Sequence, residues 1–405
     1  MAISEKQCTV TGEELVQRAR DMIPMLRAKA AEVEQNRMVP RETIEAFVEA
    51  GFLKITQPAK WGGYEMDLEV FCRVLMEIGA GCPSSAWVLS VLGVHNWEMG
   101  LFGDKACEEL WSNNPNVLIS SSYSPFGTAT KVDGGWILNG TWRSSSGIDH
   151  VDWTIIGAYE YDENGKVLDH KAFLVPKTQY RLIDDWDVYG LGGTGSKSLV
   201  VENVFVPDYR AHSMLEQPPS PDRPPLYSLH QTFVFTAGVA SSIIGFAQSA
   251  IDYYIEEMRT RQSLRKRESG STVAKESPYI KDRLGNAVLK VRSARARVLN
   301  AIREATDRVK KGDPLSPSEL AFLILDCAAT GRDCSEAVIL LHRAQAARGV
   351  WRANPIQRVL RDVMVGANHA TQNSDDTAGI VGGVLLGDGL PPRFLNINGY
   401  PPGTV

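Results

Sequence analysis

The sequence predicts a mostly helical protein with a central β domain. Apolar residues follow the helical period up to about residue 116, alternate with polar residues in short runs over 117–215, and return to the helical period from 226 onwards. We therefore expect an N-terminal helical domain at 1–116, a β domain at 117–215 and a helical bundle at 226–405. A proline-rich stretch at 216–225 is predicted to link the last two domains.

The N-terminal region carries three helix signals. Thr11 and Glu14 fit a capping box, in which each side chain satisfies a free backbone N–H group. Pro40 is predicted to open a second helix that Gly51 ends. After a Trp-Gly-Gly turn at Trp61, the helical period continues through four apolar residues, Leu68, Phe71, Leu75 and Ile78.

The middle and C-terminal regions differ in the length of their apolar patterns. Short runs separated by Gly, Asp and Asn predict a β domain of short antiparallel strands at 117–123, 136–138, 153–159, 171–175 and 198–206. Long segments then predict an antiparallel bundle of four helices at 229–262, 278–311, 317–349 and 355–375. The bundle faces are rich in Ala, Gly and Ser, which permits close helix packing and often marks a subunit interface.

Charge and cysteine content exclude several classes of function. The net charge of −5 gives no electrostatic reason to expect nucleic acid or an anionic membrane as a partner. The six cysteines form no Cys-x-x-Cys pair and lie beside no histidine at metal-ligand spacing, so we expect free, mostly buried thiols and no metal site. With neither a signal pattern nor a membrane-spanning apolar run, the chain is predicted to be cytoplasmic.

A glycine-rich motif at 190–195, Gly-Leu-Gly-Gly-Thr-Gly, matches the spacing of a dinucleotide-binding loop. Such a loop needs a helix after it, because the helix N-terminus meets the pyrophosphate. Here a strand-like run at 198–206 follows instead. We therefore predict that the motif is no nicotinamide site, and the chain needs electrons from elsewhere if it is a redox enzyme.

Four stretches, in order, resemble the acyl-CoA dehydrogenase superfamily. They are PAKWGGYEMDLEVFCRVLMEIGAGCPSSAW, GGWILNGTWRSSSGIDHVDW, YGLGGTGSKSLVVENVFVPD and NPIQRVLRDVMVGANHAT. The resemblance implies an N-terminal helical domain, a middle β barrel and a C-terminal four-helix bundle, usually in a homotetramer with flavin between domains and subunits. In the dehydrogenases a Glu that removes a proton alpha to a thioester often follows the Arg-Asp element, and here that place falls on Ala370.

A branch of this superfamily fits better, namely the oxygenase components of two-component flavin-dependent monooxygenases that hydroxylate phenols and related aromatics. The resemblance lies in GVHNW, SSSY, WRSSSGI and a His near the Arg-Asp element. The branch's order of His, Ser, Ser and His maps onto His95, Ser121, Ser146 and His369, with Ser120 and Ser122 as neighbouring choices. It implies reduced flavin from a separate reductase, O2 and a C(4a)-hydroperoxide that hydroxylates an aromatic substrate.

The resemblance also implies roles for individual residues. His369 would tune the peroxide's protonation, Ser146 would hold the flavin N5 proton, and His95 with Ser121 would bind the substrate's O–H or N–H. The expected catalytic residues are thus His369, Ser146 and His95. The expected substrate-binding residues are His95, Ser121, Trp87, Trp97 and Tyr123. The expected cofactor-binding residues are Trp142, Ser144, Ser145, Ser146, Arg261 and His369.

Each assignment has a structural alternative. His95 and His369 could satisfy local hydrogen bonds, Ser146 could bond its own turn, and Ser121 could face solvent. The two tryptophans at 97 and 142 could be core residues, and Arg261 could lie at a solvated helix end. The alternative function is an acyl-CoA dehydrogenase or oxidase acting on a thioester, and a non-catalytic flavin-binding protein is a third. The choice between FMN and FAD, and the identity of the aromatic substrate, stay open.

Overall fold

The computed structural model describes residues 10–215, 217, 223–262, 273–313 and 315–390. Its N-terminal part contains six helices: α1 Gly12–Asp21, α2 Ile23–Asn36, α3 Arg41–Glu49, α4 Leu68–Gly81, α5 Pro83–Glu98 and α6 Asp104–Trp111. The predicted capping box is confirmed, since Glu14 N donates to Thr11 Oγ1 at 3.2 Å and Thr11 N donates to a Glu14 carboxylate oxygen at 2.6 Å. Pro40 is the N-cap residue of α3.

Helix α5 is the central element of this part. Every residue of α5 except Val91 is buried, because α4, the later helix α7 (Gln231–Thr260) and the first β strand pack around it. A helix that is apolar on all sides belongs in a protein core. The few polar side chains on α5 are consequently held away from bulk water, which makes their partners important.

Eight strands form the middle region: β1 Ile119–Ser122, β2 Thr128–Val132, β3 Gly135–Ser145, β4 Trp153–Tyr161, β5 Val167–Pro176, β6 Arg181–Ile183, β7 Lys197–Pro207 and β8 Ala211–Ser213. They make two four-stranded sheets, ordered β1-β4-β5-β8 and β2-β3-β7-β6. The expected closed barrel is therefore not confirmed. The prediction of antiparallel strands is wrong for one pair, since β1 runs parallel to β4.

The C-terminal part consists of α7, α8 Pro278–Lys310, α9 Pro317–Ala328, α10 Thr330–Arg343, α11 Pro355–Ala367 and α12 Ser374–Leu386. The third predicted helix is thus two consecutive helices that meet at Ala329, and α12 was not predicted. The small-residue face of α7 packs inside the chain: a Cβ added to Gly79 of α4 would lie 2.9 Å from the Cα atom of Gly245. Most of the expected linker at 216–225 lies outside the described residues.

Within the described residues, α7 is long and apolar enough by length and composition to cross a membrane. However, 83% of its apolar window is buried inside the protein. This burial is what a core helix of a bundle requires, so the composition of α7 is explained by its packing against α4, α5 and α11.

The glycine-rich motif forms a loop that contacts helix α11. A short 3-10 turn, Gly192–Thr194, is followed by strand β7 and not by a helix, which confirms the predicted strand after the motif. Gly190 packs so closely that an added Cβ would lie 2.2 Å from the Arg361 carbonyl oxygen. Leu191 N donates to the buried Asp362 carboxylate at 2.6 Å. The glycine-rich loop is thus packed against, and hydrogen-bonded to, helix α11 of the C-terminal part.

Candidate active site

Five polar side chains meet where α5, β1, β8 and α7 converge. This group, the His95 cluster, consists of His95, Glu98, Tyr123, His212 and Gln231. The Glu98 carboxylate is fully buried at its centre. It accepts hydrogen bonds from His95 Nδ1 and His212 Nε2, both at 2.9 Å, from Gln231 Nε2 at 3.1 Å, and from the Tyr123 hydroxyl.

The hydrogen bonds decide the charge of Glu98. Burial raises the pKa of this carboxyl. The hydrogen bonds from His212 and His95 lower it by a larger amount, so the net pKa is about 2. Burial and the nearby Glu98 charge raise the pKa of Tyr123 well above its usual value, while a hydrogen bond with Ser121 lowers it in part. Glu98 is therefore ionised and Tyr123 neutral near neutral pH.

One ring nitrogen of His95 is not satisfied by any group in the described part of the chain. The residue is 1% exposed, its Nδ1 faces Glu98 and lies 3.1 Å from the Tyr123 hydroxyl, and its Nε2 has no hydrogen-bond partner among the described residues. Phe235 of α7 packs at ring-centroid distances of 6.0 Å from His95 and 5.5 Å from Tyr123. A buried, unpaired nitrogen costs free energy, which indicates that a ligand atom completes it.

The three serines of β1 are separated by the alternation of the strand. Ser120 and Ser122 are buried and bonded within the β domain, Ser120 to Thr154 Oγ1 at 3.1 Å and Ser122 to the Arg143 carbonyl oxygen at 2.5 Å. Ser121 is only partly buried and points to the opposite side, where it contacts Tyr123. Of the three, Ser121 alone borders the His95 cluster.

A second group of hydroxyls, the serine chain, consists of Ser146, Ser196 and Thr194. Thr194 donates to the Leu191 carbonyl oxygen at 2.8 Å and lies 2.7 Å from Ser196, which lies 2.7 Å from Ser146. Trp87 of α5 donates its indole N–H to Ser146 Oγ at 3.1 Å. The glycine-rich motif and the residue that follows it thus supply two of the three hydroxyls.

The direction of the serine chain follows from its end. Because the Leu191 carbonyl only accepts, the Thr194 hydroxyl donates to it, Ser196 donates to Thr194, and Ser146 donates to Ser196. Ser146 Oγ accepts the Trp87 N–H with one lone pair and keeps the other. Ser146 therefore offers an acceptor, and not a donor, to any group that binds beside it.

His369 follows α11 and lies beside Trp87, with ring centroids 5.4 Å apart in an edge-on arrangement. It is exposed and is the N-cap residue of a 3-10 turn: its Nδ1 accepts the Thr371 backbone N–H at 3.3 Å. The neutral ring must then carry its proton on Nε2. His369 also lines an open cavity of about 370 Å³ together with Arg332, Asn368, Asn373 and Asp375.

Helix α5 connects the two groups. Trp87 and His95 are eight residues apart, which corresponds to a rise of about 12 Å along the helix. Val91, the one residue of α5 that is not buried, lies between them, and Val239 of α7 is also only partly buried. Val91 thus lies one helical turn from each of Trp87 and His95, and Val239 lies one turn of α7 beyond Phe235, which contacts His95.

The two fully buried tryptophans among the predicted site residues are in the core and not at the site. Trp97 donates its indole N–H to the Leu226 carbonyl oxygen at 2.9 Å, and Trp142 donates to the Gly157 carbonyl oxygen at 2.7 Å. Trp97 touches the cluster only indirectly, through Phe235. Both rings are fully buried and their N–H groups bond backbone oxygens, so the structure does not bring Trp97 or Trp142 into the candidate site.

Three further predicted cofactor residues also lie away from the site. Ser145 is buried and donates to Ser120 Oγ at 3.1 Å, inside the β domain. Ser144 is exposed in a left-handed conformation with a φ of 62°. Arg261 donates to the Ala344 carbonyl oxygen at 3.3 Å and follows the C-terminal end of α7, about 39 Å of helix rise from Phe235. Within one chain, these three do not join the serine chain.

The sequence interpretation missed Glu98, His212, Gln231, Phe235, Thr194 and Ser196. Glu98 stands three residues after His95, a spacing that brings two helical side chains together, so this pair was recognisable. His212 and Gln231 come from 114 and 133 residues further along the chain than Glu98 and carry no local signal.

Comparisons with known proteins identify the family to which the chain belongs. The acyl-CoA dehydrogenase N-terminal and C-terminal domain models match residues 10–113 and 237–374. The flavin-dependent monooxygenase oxygenase subunit HsaA of Rhodococcus jostii (strain RHA1) is 34% identical over 368 residues, 89% of this chain and 95% of that protein. The oxygenase component of p-hydroxyphenylacetate 3-hydroxylase from Acinetobacter baumannii is 29% identical, over 95% of this chain and 92% of that protein.

A solved structure gives the same result. XiaF from Streptomyces sp., in complex with FADH2 and glycerol, superposes with a TM-score of 0.86 at 27% identity, covering 94% of this chain and 96% of that one. The fold is thus acyl-CoA dehydrogenase-like, with helical N-terminal and C-terminal parts around a central sheet region. Taken with the near-complete coverage by relatives, this shows that the chain belongs to the family of flavin-dependent monooxygenase oxygenase subunits.

Proposed function

We propose that this chain is the oxygenase component of a two-component monooxygenase that hydroxylates an aromatic substrate bearing a phenolic O–H or an indolic N–H. The observation that carries the proposal is the unpaired, buried Nε2 of His95 beside an aromatic wall. A buried acceptor of this kind selects a ligand with a hydrogen to donate. The hydroxylated phenol in the name of the p-hydroxyphenylacetate relative is of that class.

The residues at the serine chain fit a reduced flavin. Ser146 keeps an acceptor lone pair for an N–H group such as the one at N5, and His369, whose ring packs edge-on against Trp87, carries a donor N–H. A reduced flavin bound there supplies the chemistry that activates O2 and transfers one oxygen atom to the substrate. FADH2 in XiaF supports this choice of cofactor.

The His95 cluster would bind and orient the substrate. His95 Nε2 accepts the substrate's O–H or N–H, Ser121 offers a further polar contact beside it, and Phe235 packs against the ring. Val91 and Val239 would contact the remaining ring carbons on the side toward Trp87 and exclude water. The substrate thus lies with its donor at His95 and its ring facing Ser146 and His369.

The partners follow from the same interpretation. The glycine-rich loop, which alone resembled a nicotinamide site, serves a structural role, so reduced flavin would come from a separate reductase. The relatives' description as oxygenase subunits or components supports this arrangement. We also propose a cytoplasmic homotetramer, for which exposed apolar side chains such as Trp351 and Leu386, at 70% and 88% exposure, provide contact surface.

The test is a turnover assay with the full chain, chemically or enzymatically reduced flavin, O2 and a panel of substituted phenols and indoles. We expect hydroxylated product with one atom of ¹⁸O from ¹⁸O2 for at least one donor-bearing aromatic. A parallel assay offers acyl-CoA thioesters and an artificial electron acceptor. Thioester oxidation without any aromatic hydroxylation would contradict the proposal and restore the dehydrogenase alternative.

A further inference from the structure

The hydrogen bonds around Glu98 fix the protonation of both histidines that touch it. His212 has acceptors on both sides: its Nδ1 faces the Ser213 carbonyl oxygen at 2.8 Å, and its Nε2 faces a Glu98 carboxylate oxygen at 2.9 Å. A carbonyl oxygen and an ionised carboxylate can only accept. A His212 ring that donates to both of these acceptors carries two protons and is a cation.

This cation balances the Glu98 charge. Phe102 covers the His212 ring edge-on, with centroids 4.5 Å apart, so the pair is shielded from water on that side. A buried carboxylate and a buried imidazolium together carry no net charge, and a second cation in the cluster would be uncompensated. Tyr123 and Gln231 contribute neutral donors to the same carboxylate.

His95 is then left as the neutral member of the cluster. Its Nδ1 lies 2.9 Å from Glu98 and 3.1 Å from the Tyr123 hydroxyl oxygen, whose own proton goes to Glu98. The groups that face the His95 ring are Glu98 on its own helix, Tyr123 after β1 and Phe235 on α7. Two acceptors around Nδ1 require the single ring proton there, and Nε2 keeps its lone pair.

We infer that Glu98 and His212 are positioning residues that form a charge-balanced pair and hold His95 in the Nδ1–H tautomer, so that its Nε2 accepts a hydrogen from the substrate. The inference rests on the proposed function for the identity of the ligand, but not for the tautomer. It gives the physical reason for the proposed substrate class: a phenol or indole with a free donor fits, and the corresponding methyl ether does not.

The first measurement is the ¹⁵N spectrum of the full chain labelled on its histidine rings, without added flavin, at pH 7.5. His95→Gln and His212→Gln variants assign the signals by their loss. We expect two protonated nitrogens on His212 and a proton only on Nδ1 of His95. A neutral His212, or a proton on Nε2 of His95, would overturn the inference whatever the enzyme hydroxylates.

The second measurement compares the affinities of 4-ethylphenol and 4-ethylanisole, which differ by one methyl group. In the wild-type chain we expect the phenol to bind at least about tenfold more tightly, because the ether leaves Nε2 unpaired. In Glu98→Gln, whose amide accepts or donates, the tautomer is no longer fixed, and the preference should fall to within about threefold. Unchanged preference in this variant contradicts the inference.

The matched control is His342→Gln, because His342 is also partly buried and bonds a backbone oxygen, that of Gly349, at 3.1 Å, but on α10. We expect it to keep the full preference for the phenol. If the wild-type chain binds neither compound, the proposed substrate class fails, and the histidine spectrum still decides the inference. If Glu98→Gln does not fold, the wild-type spectrum and His212→Gln, which should also lose the preference, provide the test.

Discussion

A histidine and an acidic residue stand near the C-terminal end of α5 and again around the C-terminal end of α11, but their side chains are used in opposite ways. On α5, His95 and Glu98 are three residues apart and hydrogen-bonded to each other. On α11, the acid comes first: Asp362 accepts from the Leu191 backbone, while His369, seven residues later, caps its own turn. The first histidine therefore offers a buried acceptor at Nε2, whereas the second offers an exposed donor.

The two carboxylates show what decides the direction of a pKa shift. Both Glu98 and Asp362 are buried, and burial raises the pKa of each. Glu98 has four hydrogen-bond donors and ends with a pKa of about 2, whereas Asp362 has one backbone donor and ends at about 6. The hydrogen bonds and the charges around each carboxylate, and not its depth, make the difference.

The largest effect is expected from Glu98→Ala. Removing this carboxylate leaves the His212 cation and several donors buried without an acceptor, so the free energy of unfolding should fall by about 3–5 kcal/mol. Urea unfolding at pH 7.5 measures it. Glu256→Ala is the control, since Glu256 is 57% exposed and pairs with Arg27 at the surface, and its loss should cost less than about 1 kcal/mol. Equal losses in both variants would mean that the buried Glu98 carboxylate contributes no more to stability than a surface ion pair.

Asp362→Asn should have an effect of opposite sign. The amide still accepts from Leu191 N but carries no charge, so at pH 7.5 the variant should be more stable than the wild type, by at most about 3 kcal/mol. Because the folded-state pKa of Asp362 is raised to about 6, the wild type gains relative to the variant as pH falls through 6 towards 4. Urea unfolding across this range tests the sign, and a variant less stable at pH 7.5 would contradict it.

Exchanging each histidine separates binding from oxygen transfer. His95→Ala should weaken binding of a phenolic ligand by about 1–3 kcal/mol, roughly 5- to 150-fold, because the ligand's O–H loses its acceptor. His369→Ala should leave this affinity within about twofold and keep the fold and flavin binding, yet lower the hydroxylated product formed per O2 consumed. Calorimetry and an oxygen electrode measure the two quantities. Full coupling in His369→Ala would exclude the role proposed for it.

The smallest effect is expected at the serine chain. Ser146→Ala removes the acceptor beside Trp87, and we expect about tenfold more hydrogen peroxide released per product, equivalent to about 1.4 kcal/mol. Ser145→Ala is the control, because the neighbouring hydroxyl bonds only Ser120 within the β domain. Peroxide release that rises equally in both variants would mean that Ser146 acts through the strand and not through its lone pair.

Local patterns predicted most of the fold. The capping box at Thr11, the helices from Leu68 onwards and the strand after the glycine-rich motif all follow from signals within a few residues. Strand β2 was missed because none of its residues is buried, so it lacks the apolar alternation of a half-buried strand. Strands β6 and β8 were missed because each has only three residues.

The candidate site divides in the same way. His95, Ser146 and His369 were identified because short motifs surround them, although their roles stay proposals. His212 was not identified, because it reaches Glu98 only through the pairing of β8 with β5. Strand β8 begins more than a hundred residues after the end of α5. Trp97 and Trp142 were predicted as site residues but lie in the core, because sequence alone does not show which tryptophans the fold covers completely.

The burial of α5 has a consequence for substrate range. Its backbone is confined by packing on nearly every side, so the distance between Trp87 and His95 is fixed. An aromatic ring bound at His95 would therefore present to the Trp87 side whichever ring carbon reaches that far. Selection for substrate size would then depend on the volume of the side chains at Val91 and Val239. Substitutions at these two positions could change that volume while Trp87 and His95 keep their places.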